Sequence, residues 1–314
     1  MIYTITLNPS IDYVVQVNQL NLGELNKMDN EMMFAGGKGI NVSRVLHELA
    51  YDTTALGFLG GFTGDFIVEA LREKSIQTKF TPIQGATRIN IKLKADSETE
   101  VNGRGPGILP AEADSLLHQL EHVTNHDTVI ISGSTPPSLP NDFHKQLADQ
   151  IAANGASFVI DTTGEALKSV LGYRPLVVKP NKEELAELFG VTLRHQDDVI
   201  YYGKQLLDLG ARHAIVSMAG EGALLFTEEG IYHGQTPRGQ VKNSVGAGDS
   251  MIAGFTGKFK ETADVTEAFR MSLAAGSATA FADDLAKAED IFQLQEKIAI
   301  TRISGKVKEE NHEH

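Results

Sequence analysis

Short apolar runs rich in β-branched residues recur along the chain: Ile2–Leu7, Thr128–Ser132, Ser157–Asp161, Leu176–Lys179, Ala214–Met218 and Ala223–Phe226. Between them, apolar positions return with helical spacing. Val42, Val45, Leu46 and Leu49 make one such face, and Met251, Ile252, Phe255 and Phe259 make another. Strands alternating with helices predict an α/β fold with a mainly parallel central sheet covered on both faces. Ile11–Val17 alternates apolar and polar residues instead, and Arg88–Val101 reads as two short alternating strands around Ala95–Glu98. With Met32–Phe34, these segments predict antiparallel strands with one solvated face, a small sheet over the main one. No Pro- or Ser-rich linker and no internal repeat divides the chain, so residues 1–305 are expected to form a single domain.

Composition removes several function classes. With 41 acidic against 28 basic residues the net charge is −13, so no wide basic field is available for nucleic acid. The absence of cysteine excludes disulfides, thiolate metal sites and a cysteine nucleophile. Met1–Leu7 opens on a strand pattern without a basic and then apolar leader, and no apolar run approaches the roughly 18 residues of a membrane span. A cytoplasmic protein without a membrane partner is expected. The polar residues 306–314 read as a disordered tail.

Asn243-Ser-Val-Gly-Ala-Gly-Asp249-Ser250 carries the strongest chemical signal. Gly246 and Gly248 let the backbone turn so that several N–H groups, with Ala247 between them, point one way. The helix that follows adds free N–H groups and a positive dipole end. Asp249 sets a carboxylate at the mouth of this anion nest, the combination that phosphoryl transfer to an alcohol requires. Gly36-Gly37-Lys38-Gly39-Ile40-Asn41 leads into another helix and reads either as a second anion-binding turn or as an ordinary loop-to-helix turn. It is neither a Walker A loop nor a dinucleotide fingerprint. Lys179-Pro-Asn181-Lys-Glu-Glu184 follows a strand; Asn181 and Glu184 can hold Mg²⁺ through its waters or form a helix capping box. Ser217, Gly220 and Gly222 mark a turn that wraps a nucleotide or simply closes a hairpin. Gly133 and Ser134 end another strand, and ligands of parallel sheets bind at the carboxyl ends of strands. Arg88, Asn90 and Lys92 share one face of a strand, with Ile89, Ile91 and Leu93 opposite, which suggests a sheet that reads a polar ligand.

Gly36–Asn41 and Asn243–Gly254 resemble the two signatures of the PfkB-type (ribokinase-like) carbohydrate kinases, and Asn181-x-x-Glu184 resembles that family's Asn-x-x-Glu motif. The likeness runs from Met1 to about Gly305. Thr6–Asp12, Ala35–Arg44 and Thr87–Leu93 are similar to the 1-phosphofructokinase branch. In that branch the stretch after Glu100-Val-Asn102 carries proline where Arg104 stands here. The resemblance implies a ribokinase-like three-layer α/β/α sandwich with a β lid built from about 11–34 and 88–101. It also implies a homodimer formed through the lid, ATP and a phosphorylated ketohexose as substrates, and Mg²⁺.

The reaction so implied converts D-fructose 1-phosphate and ATP to fructose 1,6-bisphosphate and ADP. Asp249 would be the base toward the C6 hydroxyl, with ordinary acidity near ~3.9 and kept ionised by the helix N-terminus. The backbone of Gly246–Asp249 would stabilise the moving phosphoryl group. Lys27, Lys38, Arg88, Lys92 and Arg104 are candidates for the sugar phosphate. Asp12, Gly36, Gly37, Asn41, Asn90, Asn102, Gly133 and Ser134 are candidates for the sugar, although Asp12 also fits an Asx turn after Pro9-Ser10. Lys179, Asn181, Ser217, Gly220, Gly222, Asn243 and Gly248 are assigned to ATP, and Glu184 with Asn181 to Mg²⁺. A tagatose-6-phosphate kinase is the nearest rival. A non-catalytic sugar-phosphate sensor and a nicotinamide dehydrogenase are the rivals from other classes. The intact Asp249 and Glu184 weigh against the sensor, and the missing fingerprint glycines weigh against the dehydrogenase.

Overall fold

The computed structural model describes residues 1–303, so the 306–314 tail lies outside the described residues. Its strands are β1 (Ile2–Thr6), β2 (Ser10–Gln16), β3 (Asn30–Gly36), β4 (Thr53–Leu59), β5 (Gln77–Thr78), β6 (Thr81–Pro82), β7 (Arg88–Lys94), β8 (Glu98–Asn102), β9 (Thr128–Ser132), β10 (Ser157–Asp161), β11 (Ala214–Ser217), β12 (Ala223–Thr227), β13 (Gly230–Gly234) and β14 (Ile300–Ile303). Its α-helices are α1 (Lys38–Glu48), α2 (Gly61–Glu73), α3 (Pro110–Gln119), α4 (Phe143–Ala153), α5 (Gly164–Leu171), α6 (Lys182–Phe189), α7 (Gln196–Asp208), α8 (Ala247–Thr262), α9 (Val265–Phe281) and α10 (Ala288–Gln295).

The central strands run in the order β10–β9–β1–β4–β5, all parallel. The expected strand Leu176–Lys179 is present only as an extended crossing. Val178 bridges Ile160 on β10 and Ala214 on β11, which ties the parallel strands to the antiparallel run β11–β12–β13–β14. Leu176 N–H donates to the Phe158 carbonyl at 2.7 Å and Val178 N–H to the His213 carbonyl at 3.1 Å, while Pro175 and Pro180 at the ends of this segment have no N–H to add. β4 escaped the sequence pattern because Gly57 interrupts its apolar run.

Side chains alternate across the sheet and bury against helices on both faces. Val129 and Ile131 of β9 join a core with Leu116, Phe143, Leu167, Leu185 and Leu206 of α3 to α7. Ile130, between them, joins the opposite core with Val42, Ile252, Phe255, Phe269 and Ile291 of α1, α8, α9 and α10. Phe255 and Ile252 are fully buried, worth about 1.5–3 kcal/mol each. This is the three-layer α/β/α arrangement that the strand and helix alternation predicts. Helix α8 stops where Ala263 turns left-handed, and Asp264 then caps α9 by accepting from the Thr266 and Glu267 N–H groups.

The lid is a separate four-stranded sheet, β3–β2–β7–β8. The expectation of purely antiparallel pairing fails at one place: β2 and β7 are parallel. The chain leaves β3 for α1, β4 and α2 in the main body and returns to the lid only at Arg88, so β7 enters alongside β2 in the same direction.

Candidate active site

The carboxyl ends of β1 and β9, the Lys179–Asn181 crossing and β11 open into one cleft of about 980 Å³ under the polar face of the lid. Register makes this convergence inevitable. Thr6, Ser132 and Asp161 stand side by side as the last residues of their strands, and Asn181 pairs with Ser217 one step outward.

At the head of α8, Gly246 adopts φ 80, a left-handed turn that side chains disfavour. No side chain caps the helix; the Ala247 N–H donates to the Ser244 carbonyl at 3.3 Å, and those of Gly248 and Asp249 remain available to an anion. Asp249, only 5% exposed, accepts a hydrogen bond from Asn41 Nδ2 at 2.9 Å. Burial pushes its pKa up to about 6, and the nearby Asp161 carboxylate adds to the rise, against Lys38, Asn41 and Lys179. The expectation of ordinary acidity is therefore corrected: desolvation outweighs the helix dipole, and the carboxylate is a stronger base. Asn41, expected to touch the sugar, lines the cleft and also donates to Asp249.

Asp161 was not among the expected site residues. It is buried at the end of β10, with Lys38 Nζ 3.1 Å from Oδ2 and Lys179 Nζ 3.6 Å from Oδ1. Burial disfavours its charge, but Lys179 and Lys38 outweigh that and hold its pKa below the usual carboxylate range. Its signal in the sequence was a carboxylate ending a buried parallel strand. Lys38 and Lys179, assigned separately to the sugar phosphate and to ATP, thus share one anion. A Cβ built on Gly248 would lie 2.9 Å from Lys179 Nζ, so this ammonium sits against the anion nest.

The lid contributes a row set by register: Asp12 pairs with Asn90, and Asn90 with Asn102. Asp12 lies inside β2 and not in an Asx turn. Its Oδ1 accepts from Ser10 Oγ at 2.9 Å and Asn90 Nδ2 at 3.1 Å, and Lys92 Nζ stands 3.5 Å from Oδ2. Gly36 provides the room, since a Cβ there would approach the Asp12 carboxylate to 2.6–2.8 Å. Arg88 lines the cleft while donating to the carbonyls of Asn8 and Gly103 at 2.8–3.2 Å, which ties β7 to both loops. Asn90 Oδ1 accepts from the Gly103 N–H at 3.2 Å. Gly37, Gly133 and Ser134 also line the cleft, and Ser134 Oγ accepts from Asn8 Nδ2 at 3.4 Å. Thr6, Asn8, Ser10 and Glu100 line it too; they lie in stretches that carried the resemblance but were not singled out as site residues.

Three expected ligands fall elsewhere. Lys27 is exposed on the β2–β3 loop and is not among the lining residues. Arg104 is exposed and presents only its carbonyl, to Asn8 Nδ2 at 3.1 Å. Asn243 spends its Oδ1 on the Val245 N–H at 2.9 Å, shaping the turn before α8.

On the far side, Asn181 and Glu184 do form the capping box. Asn181 N–H donates to Glu184 Oε2 at 2.8 Å, and Glu184 N–H to Asn181 Oδ1 at 2.7 Å. Both residues still line the cleft. Ser217, Gly220 and Gly222 form the β11–β12 hairpin connection and also line it, beside an apolar slot from Val241, Met251, Leu273 and Phe281. Among the described residues no cluster of three or more His, Cys, Asp or Glu could hold a metal, and no helix is long and apolar enough to cross a membrane.

A family profile described as "pfkB family carbohydrate kinase" matches residues 5–287. A Bacillus subtilis protein described as 1-phosphofructokinase is 45% identical over 303 residues, covering 96% of this chain and 100% of the relative. A Bacillus licheniformis protein described as D-tagatose-1-phosphate kinase is 35% identical over 304 residues, covering 96% and 100%. Among solved structures, Escherichia coli phosphofructokinase-2 in complex with fructose-6-phosphate superposes with a TM-score of 0.87 at 29% identity, covering 94% of this chain and 98% of that one.

Proposed function

The chain belongs to the pfkB family of carbohydrate kinases, and from that membership we propose that it transfers the γ-phosphoryl group of ATP to the C6 hydroxyl of D-fructose 1-phosphate. The products are ADP and D-fructose 1,6-bisphosphate. One observation carries the reading: a buried carboxylate, Asp249, sits at the uncapped head of α8 inside a cleft that also holds Lys38, Lys179, Arg88 and Lys92. A protein of net charge −13 can attract two polyanions only through such focused cations.

Asp249 takes the hydroxyl proton as the oxygen bonds to phosphorus, and a pKa raised to about 6 suits a base working near neutrality. The α8 N–H groups and Lys179 lie where charge builds on the transferring group, each well-aimed donor being worth about 3 kcal/mol. Asp12 and Asn90 offer an acceptor and a donor to the sugar hydroxyls. The apolar slot by Val241 and Phe281 suits the adenine base.

Mg²⁺ fits this donor set. Glu184 uses only Oε2 in the capping box, leaving Oε1 for a metal-bound water, while Asn181 serves by fixing Glu184. Bound there with the nucleotide, the ion would offset the charge of the triphosphate. Two copies pair through the lid: its outer row Met33–Tyr13–Ile91–Val101 leaves Met33 54%, Ile91 39% and Val101 59% exposed.

The relative described as a D-tagatose-1-phosphate kinase favours a second reading. Tagatose 1-phosphate differs from fructose 1-phosphate at C4 and offers the same C6 hydroxyl. This moves the rival substrate from a 6-phosphate to a 1-phosphate. Steady-state assays with Mg²⁺-ATP and fructose 1-phosphate, tagatose 1-phosphate, fructose 6-phosphate and free fructose discriminate. The highest kcat/KM is expected for fructose 1-phosphate; a preference for fructose 6-phosphate, or ADP release without any sugar, defeats the proposal.

A further inference from the structure

We propose that Asp161 is a positioning residue of the transfer site: its carboxylate anchors the ammonium groups of Lys38 and Lys179 together beside the head of α8, so that one buried side chain sets the charge seen by both substrates. The proposal deepens the kinase reading above and rests on it.

Asp161 is 5% exposed and is not among the residues lining the cleft, whereas both lysines are. It therefore acts through them and not on a ligand. The two lysines arrive from unrelated places, Lys38 as the first residue of α1 and Lys179 from the crossing before α6. Asp161 supplies the only side-chain anion within ion-pair reach of either ammonium among the described residues. Lys179 is itself 7% exposed, and a buried ammonium without a partner is strongly disfavoured. Asp161 thus permits a second cation to stand against Gly248, where the nest alone would repel it. The pair geometry is fixed by the sheet, since Asp161 stands level with Ser132 and Thr6 at the strand ends.

The same carboxylate bears on Asp249. The charged or titratable groups facing Asp249 are few. Helix α1 brings Lys38 with the Asn41 amide, β10 brings Asp161, the crossing brings Lys179, and Glu184 of α6 acts on Lys38. Helix α9, packed along α8, carries no charged residue from Met271 to Phe281. Asp161 makes proton loss from Asp249 harder, and the lysines make it easier. Removing Asp161 deletes the opposing charge and leaves both ammonium groups to act on Asp249. Removing Lys179 does the reverse. The two substitutions must therefore move Asp249 in opposite directions, which a merely structural role for Asp161 would not produce.

The test uses the substrate-free protein with ¹³C-labelled aspartate carboxyls. The Asp249 resonance is the one absent from Asp249→Asn, and its midpoint in the unmodified chain is expected at about 6. Asp161→Asn should lower that midpoint by roughly one pH unit and cut kcat for fructose 1-phosphate by about 10–100-fold. Lys179→Met and Lys38→Met should raise it. If Asp161→Asn does not fold, the two lysine variants carry the test through their upward shift. A midpoint unmoved by these substitutions, shifts of the same sign, or an Asp161→Asn enzyme with unaltered kcat overturns the proposal. The titration needs no substrate, so it can fail while fructose 1-phosphate turnover stands, and the reverse.

Discussion

Asp249→Asn is expected to make the protein inactive and more stable at once. In the folded chain Asp249 titrates at about 6 instead of 3.8, a rise of about two units. At about 1.4 kcal/mol per unit, holding this group ionised costs up to about 3 kcal/mol of folding stability above pH 6. The sign follows from proton counting. Between about pH 4 and pH 6 the folded form binds the Asp249 proton more tightly than the unfolded chain, so stability falls as pH rises and is then flat. The substituted amide carries no charge to desolvate, and its oxygen can still accept from Asn41 Nδ2, now 2.9 Å from the carboxylate. At pH 8 the melting temperature should therefore rise by up to roughly 5 °C, and the difference should close toward pH 4. Turnover should drop by about 10²–10⁴-fold, because the base is lost while the nest remains. Calorimetry or near-UV circular dichroism from pH 4 to pH 8, beside a coupled ADP assay, reads both effects. A variant that melts at or below the parent at pH 8, or one that keeps near-normal turnover, refutes the reasoning.

Arg88→Ala removes the guanidinium that joins the Asn8 and Gly103 carbonyls and faces the cleft. KM for the sugar phosphate should rise at least ~10-fold, with KM for ATP nearly unchanged, since a charge-assisted contact is worth about 1.5–3 kcal/mol. Equal effects on both substrates would remove Arg88 from the sugar side. Gly36→Ala drives a methyl to within 2.6–2.8 Å of the Asp12 carboxylate, so Asp12 must shift. The same kinetic split is expected, accompanied by a melting temperature lowered by a few degrees, and an unchanged sugar KM contradicts it. Glu184→Gln keeps an oxygen for the Asn181 N–H, so thermal stability should hold within about 0.5 kcal/mol. The Mg²⁺ concentration for half-maximal rate should increase several-fold; an unaltered Mg²⁺ dependence would mean that Glu184 serves only as a cap.

The parallel core was legible in the sequence because strands buried on both faces must be continuously apolar, and helices must repeat every three to four residues. Thr128–Ser132 and the Val42–Leu49 face satisfied those rules without help from the rest of the chain. The anion nest was equally local: glycines and a helix start within one short turn determine where the N–H groups point. The lid strands were visible as alternation, yet their pairing was not, because the parallel contact between β2 and β7 depends on where the chain travels between Phe34 and Arg88.

What only the tertiary structure decided is charge. Residues 38, 161, 179 and 249 are far apart in sequence, and nothing in their spacing says that two acids and two bases share one buried site. Spacing likewise left Asn181 and Glu184 open between cap and metal, and in the folded chain the cap is closed with one carboxylate oxygen to spare. Local sequence controls backbone dihedrals and the direction of side chains, so folds and turns can be read from it. Desolvation and Coulomb energy depend on distances across the whole molecule, so the acidity of Asp249 is a property of the folded cleft and not of the motif that contains it.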